Sequence, residues 1–142
     1  MTITGASLRI DHVGIAVSDL GKAVADFSSR MGVDPESREE VPADGIVAVF
    51  FSLGAESVEL LGSTRSDSAI GRFLERRGEG MHHVAYLVDD IESELRRWQA
   101  GGSQLIDSTP RMGSRGRLVA FIHPSSEHGV LTELCQLPPG AQ

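Results

Sequence analysis

His12 and His83 stand 71 residues apart (83 − 12) in a chain of 142, one in each half and each inside the same short pattern. The first lies in Asp11-His12-Val13-Gly14-Ile15-Ala16-Val17-Ser18-Asp19-Leu20, the second in His82-His83-Val84-Ala85-Tyr86-Leu87-Val88-Asp89-Asp90-Ile91. Imidazoles bind first-row divalent metals. A lone histidine on an apolar strand is more often structural, and recurrence at one register is what favours ligation. Each half adds a glutamate beside apolar neighbours, in Val58-Glu59-Leu60 and Thr132-Glu133-Leu134. Either carboxylate alone could face solvent from a half-exposed sheet, but burying it unpaired would be costly. With the histidines they make a two-imidazole, two-carboxylate set. Such a set suits a divalent first-row ion with positions left for water or substrate, and the nitrogens argue against magnesium or calcium.

The elements that must position these groups repeat as well. Leu8 to Val17 alternates and is rich in β-branched residues, a strand with Ile10, His12, Gly14 and Ala16 on one face. Ser18 or Asp19 caps a helix whose apolar residues Leu20, Ala23, Val24, Phe27 and Met31 follow the helical period as far as Gly32. Strands are predicted over Glu36 to Val41, Ile46 to Leu53 and Ser57 to Leu61, separated by turn residues. A short capped helix at Ala69, Ile70, Phe73 and Leu74 connects the halves. The second half repeats the order: a strand from Met81 to Val88, a helix from Asp90 to Ala100, and strands near Ser103 to Ile106, Leu118 to Ile122 and Val130 to Cys135. A duplicated unit beginning strand–helix is the physical reading. Pro110 to Gly116 is expected to be a flexible loop able to approach a ligand.

Lys and Arg total 13 against 20 Asp and Glu, a net charge of −7 with no basic block, so nucleic acid and anionic membrane are poor partners. The single cysteine, Cys135, cannot form an intramolecular disulfide, which fits a reducing, cytoplasmic setting. Met1 to Ser7 lacks the apolar core of a signal peptide, and no stretch has the length of a membrane span. A soluble, unexported protein is expected.

The paired His12 and His83 with Glu59 and Glu133 resemble the vicinal oxygen chelate superfamily, and within it the methylmalonyl-CoA epimerases. The likeness runs from about Ile10 to Gln136. Its most specific parts are Asp67-Ser68-Ala69-Ile70-Gly71-Arg72-Phe73-Leu74-Glu75 and Gly78-Glu79-Gly80-Met81-His82-His83-Val84-Ala85, followed by Val119-Ala120-Phe121-Ile122-His123-Pro124 and Gly129-Val130-Leu131-Thr132-Glu133-Leu134. The resemblance implies an α+β fold, two βαβββ modules forming a curved sheet around a metal-binding cleft. It places them in one domain over 1–142, with module one at about 8–62, the connector helix at about 66–77 and module two at about 80–136.

It also implies His12, Glu59, His83 and Glu133 as ligands of a cobalt, manganese, nickel or zinc ion, although the second is often glutamine in the family. Ser114 in Gly113-Ser114-Arg115-Gly116 matches a substrate-contacting loop. The implied reaction is epimerisation of methylmalonyl-CoA, or a related malonyl-type thioester, by α-proton abstraction and a metal-stabilised enolate, with Glu133 the base on one side. For the other side some epimerases carry a glutamate where this chain has Ala48. Glu39 or Glu40, a metal-bound water or His82 are the alternatives, or a different reaction. The partner implied is an acyl-CoA, and a homodimer is expected.

Rival readings are glyoxalase I, which uses the same ligand types on this fold, and a non-catalytic small-molecule-binding protein of the same fold, typically without a metal set. An extradiol dioxygenase would use two histidines and one carboxylate. Of the remaining residues, His82 and His123 are expected to be structural and His128 an exposed loop residue. Arg111, Arg115 and Arg117 form a basic patch, either solvated or attracting CoA phosphates. Cys135 reads as a buried, inert thiol.

Overall fold

The computed structural model describes residues 8–140. Met1–Ser7, read above for a leader, lie outside the described residues. The chain packs as two compact units, His12–His82 and, among the described residues, 8–11 with 83–140. Each unit changes its chain segment immediately before a histidine of the repeated pair.

The unit of His12–His82 holds β1 (Arg9–Ala16) from His12 on, α1 (Leu20–Met31), β2 (Ser37–Val41), β3 (Ile46–Leu53), β4 (Glu56–Ser63) and α2 (Ala69–Arg77). Its strands run in the order β2-β3-β4-β1, with β1 parallel to β4 and the other pairs antiparallel. The helix forms where the apolar period and caps predict it. Asp19 accepts the Lys22 N–H at 3.0 Å, and Gly32 ends the helix in the left-handed region at φ 71°. Leu20, Val24 and Phe27 lay the apolar face of α1 on Val49, Phe51 and Leu60, one face of the sheet. On the opposite face Ala16, Ala48, Phe50 and Leu61 pack with Ile70 of α2. β3 is thus buried on both faces, which is why its sequence is a continuous apolar run.

The other unit holds β5 (Gly80–Leu87) from His83 on, α3 (Ile91–Ala100), β6 (Arg111–Met112), β7 (Leu118–Ile122) and β8 (Thr132–Gln136), in the strand order β5-β8-β7-β6. Asp90 caps α3 by accepting the Ser93 N–H, and it lies 71 residues (90 − 19) after the cap of α1, the offset of the histidines. Ile91, Leu95 and Trp98 pack on Ala120, Ile122 and Leu134. Both βαβββ modules expected from the resemblance are therefore present.

One predicted strand is not. Ser103 to Ile106 contributes only an isolated bridge, Leu105 to Ile122, and the strand of that position is the two-residue β6. The Asp107 carboxylate accepts the Phe121 N–H at 2.9 Å, a donor on β7 that a continuing neighbour strand would need for its own carbonyl. Side chain has replaced ladder. The loop expected over Pro110 to Gly116 is accordingly built rather than loose: β6 pairs with β7, and a single 3₁₀ turn covers Ser114–Gly116.

Candidate metal centre

In the His12–His82 unit, parallel register sets His12 against Ser57 and Gly14 against Glu59, so the imidazole and carboxylate share a face two residues apart along adjacent strands. Both are buried, and His12 Nε2 lies 3.3 Å from Glu59 Oε1. Across β3, Phe50 stands opposite Glu59 and meets the His12 ring edge-on at 5.6 Å. The Phe ring fixes the imidazole plane while leaving Nε2 to the carboxylate.

The second unit builds the same group. Ala85 pairs with Glu133 and Phe121 faces Glu133 across β7. His83 Nε2 lies 3.3 Å from Glu133 Oε1, and the His83 and Phe121 rings meet edge-on at 5.8 Å. Phe50 and Phe121 are again 71 residues apart (121 − 50), whereas the two glutamates are separated by 74 (133 − 59). The three additional residues lie between Phe121 and Glu133, in the long β7–β8 connection that replaces the tight β3–β4 turn. Repeat and divergence are therefore both located, and the aromatic partner is a site residue that the sequence reading passed over.

A separation of 3.3 Å is long for a good hydrogen bond. Two donors at about 2.1 Å from one ion and at a tetrahedral angle lie about 3.4 Å apart, so each pair has the spacing of two ligands on a common cation. The donor chemistry, imidazole nitrogen with carboxylate oxygen, also fits a first-row divalent ion. Glu59 and Glu133 are only 5 % and 6 % exposed, which removes the solvent-facing alternative for both.

Ser114 opens the 3₁₀ turn between β6 and β7 and is half-buried. The turn is held in an unusual shape. Arg115 sits in the left-handed region at φ 60°, and a Cβ on Gly113 would come within 2.7 Å of Val119 Cγ1. What holds it is Asp11, 3 % exposed at its side chain, which takes Arg115 Nη2 at 2.8 Å and a close contact from Arg117 Nη1. The basic patch drawn from Arg111, Arg115 and Arg117 therefore needs correction at two of its three members. Arg115 and Arg117 are mostly buried and committed to a buried carboxylate rather than turned outward for phosphates. Arg111 lies over the Phe121 ring at 5.7 Å.

The other expectations fall as follows. His82 meets Phe73 edge-on at 5.0 Å, and the His123 imidazole accepts the Ser125 N–H, both structural roles. His128 is exposed. Burial holds the Cys135 thiol well above its ordinary value, with the nearby Asp11 and Glu133 charges adding to the effect. Glu79, from the Gly78-Glu79-Gly80 motif, accepts the Ser18 N–H at 2.8 Å and so ties the approach of β5 to the entrance of α1.

A family description, the glyoxalase/bleomycin resistance protein/dioxygenase superfamily, matches residues 11–121. The chain belongs to that superfamily. It is 34 % identical over 131 residues to the ethylmalonyl-CoA/methylmalonyl-CoA epimerase of Cereibacter sphaeroides, covering 91 % of this chain and 98 % of that one. A methylmalonyl-CoA epimerase solved with methylmalonyl-CoA and NH4+ superposes with a TM-score of 0.88 at 34 % identity, over 92 % of this chain and 95 % of that one. The methylmalonyl-CoA epimerase of Mycobacterium tuberculosis gives a TM-score of 0.89 at 32 % identity, over 98 % and 94 %. The resemblance read from the sequence thus stands in both family and fold, and the superfamily match takes in His12, Glu59 and His83. Among the described residues no helix is long and apolar enough to cross a membrane.

Proposed function

We propose that this chain epimerises methylmalonyl-CoA, or a related malonyl-type thioester, at the α-carbon, and that His12, Glu59, His83 and Glu133 together hold one divalent first-row cation. The observation that carries the reading is the duplicated buried pair: each unit presents one imidazole and one carboxylate at 3.3 Å, a spacing suited to ligands of a common ion. Similarity to methylmalonyl-CoA epimerases over nine-tenths of the chain supplies the substrate class.

A bound cation would supply Lewis-acid stabilisation of negative charge on the substrate's carboxylate and thioester oxygens. The rest falls to the chain. Glu133 is the base on one side of the α-carbon, Ser114 contacts the substrate, and Phe50 and Phe121 hold the imidazole planes. A cytoplasmic homodimer completes the proposal, the oligomer being measurable by light scattering and the location by cell fractionation.

The test is proton NMR of methylmalonyl-CoA in deuterium oxide with protein stripped of metal and then loaded with cobalt or manganese. The α-proton signal should persist with the stripped protein and be lost once metal is added. No exchange in any metal form, or isomerisation of a glutathione hemithioacetal instead, overturns the reading.

A further inference from the structure

We propose that Asp11 is a positioning residue for the substrate contact of Ser114: by clamping Arg115 and Arg117 it fixes the turn on which Ser114 sits; this rests on the epimerase reading above, in which Ser114 contacts the substrate. All four residues belong to one unit, 8–11 with 83–140.

Strand register places that turn on the face that carries this unit's His–Glu pair. His83 and Ala85 share the face by alternation, Ala85 pairs with Glu133, and Glu133 stands opposite Phe121. Two residues further along β8, about 6.8 Å, Cys135 pairs with Val119, and Val119 pairs in turn with Arg111. Ala85, Val119 and Cys135 pack together there. The backbone of Gly113 rests on Val119, because a Cβ at that position would come within 2.7 Å of Val119 Cγ1. The turn of Ser114 thus begins over Val119, one alternation step from Phe121 and Glu133. The Asp11, Glu133 and Arg117 charges all act on the Cys135 thiol, which sets the clamp beside the same stretch of β8.

The turn has a shape that needs outside support. Its backbone closes when the Gly113 N–H donates to the Arg117 carbonyl at 2.7 Å and the Arg117 N–H to the Ser114 carbonyl at 3.3 Å. Arg115, next after Ser114, is left-handed at φ 60°, a region that residues other than glycine seldom enter. Such a conformation persists where the surroundings impose it, and such places concentrate at binding and active sites. Asp11 imposes it here. Its buried carboxylate takes Arg115 Nη2 at 2.8 Å and the close contact from Arg117 Nη1, so the residue after Ser114 and the residue that closes the turn are held by one anion. Asparagine at position 11 would leave two guanidiniums facing a neutral group, a repulsive arrangement that the turn relieves by moving.

A double-mutant cycle on turnover separates positioning from stability. Metal-loaded full chain acts on methylmalonyl-CoA at a temperature where circular dichroism shows every variant folded. The inversion rate gives kcat and KM for the wild type, Ser114→Ala, Asp11→Asn, Arg115→Ala, and Ser114→Ala combined with each clamp variant. Arg115→Ala keeps Asp11 paired with Arg117, so it completes the cycle if Asp11→Asn does not fold. Cobalt affinity is read in parallel from the visible absorption spectrum, because Asp11 precedes His12 in the chain.

Expected is a fall in kcat/KM of about tenfold for Ser114→Ala, the size of one hydrogen bond, and a similar fall for each clamp variant. In the combined variants the clamp change should add less than about twofold, since the contact it positions is already gone, and cobalt affinity should stay within about twofold of the wild type. Clamp variants with wild-type kcat/KM, losses that multiply with that of Ser114→Ala, or losses that follow cobalt affinity overturn the assignment. Ser114→Ala with wild-type activity overturns it as well, by removing the contact itself. A wild type that neither exchanges nor inverts the substrate fails the epimerase reading and takes the proposal with it, an outcome already distinct in the unmutated chain.

Discussion

Removing the charge of Asp11 should be among the most damaging single changes outside the apolar core. Its carboxylate is 3 % exposed and meets two guanidiniums, those of Arg115 and Arg117, which are 20 % and 16 % exposed at their side chains. Breaking a fully buried ion pair by deleting one partner costs about 3–5 kcal/mol. Because both arginines keep some contact with water and can partly rehydrate, about 2–4 kcal/mol is the appropriate figure for Asp11→Ala. In a domain of this size that lowers Tm by about 5–12 °C. Asp11→Asn should be nearly as harmful: the carboxamide keeps one acceptor oxygen but turns an NH2 group toward a side chain that can only donate. Urea denaturation of Asp11→Ala, Arg117→Ala and the double variant forms a cycle, with an expected coupling of about 1.5–3 kcal/mol. Arg38→Ala, at an exposed pair, is the control and should change stability by less than about 0.5 kcal/mol. An Asp11→Asn protein within about 0.5 kcal/mol of the wild type, or a coupling no larger than that, would refute the clamp.

Gly71→Ala places a good helix former inside α2, where propensity alone predicts a gain of about 1 kcal/mol. The added Cβ would stand 2.6 Å from the Ser66 carbonyl oxygen, so melting should show a loss, and a gain would mean that the 66–68 turn is free to shift. Cys135 gives a pH signature, because a thiol pKa raised in the fold makes the native state hold its proton after the unfolded chain has released it. That stability is fully present below about pH 8.5 and declines as pH rises beyond it, by about 1.4 kcal/mol per pH unit. Denaturation at pH 8 and pH 10 should show this slope in the wild type and not in Cys135→Ala.

What could be read from the sequence, and what could not, divides by the range of the interaction. The helix caps Asp19 and Asp90 accept N–H groups three residues ahead, and the sharing of a face by His12 and Gly14 is pure alternation, so both are written locally. Neither Phe50 nor Phe121 carries a polar atom to single it out; their role appears only when register puts each opposite a glutamate. Asp11 pairs with Arg115 across 104 positions, and no periodicity reaches that far. The same limit explains the misplaced strand. Ser103 to Ile106 has strand composition, but whether it forms a ladder is decided by Asp107 and Phe121, fourteen residues apart.

That division also bears on how one local arrangement can persist in both units while the chain around it changes. The His–Glu–Phe group depends on three adjacent strands in fixed register, and it appears in both units with the same edge-on ring and the same 3.3 Å spacing despite the longer β7–β8 connection. Ala48 on β3 is covered by α2, whereas the neighbouring edge strand β2 carries a carboxylate, Glu39, beside it in the ladder. An edge strand has fewer neighbours to disturb, so a charged residue there costs less than one in the doubly covered β3.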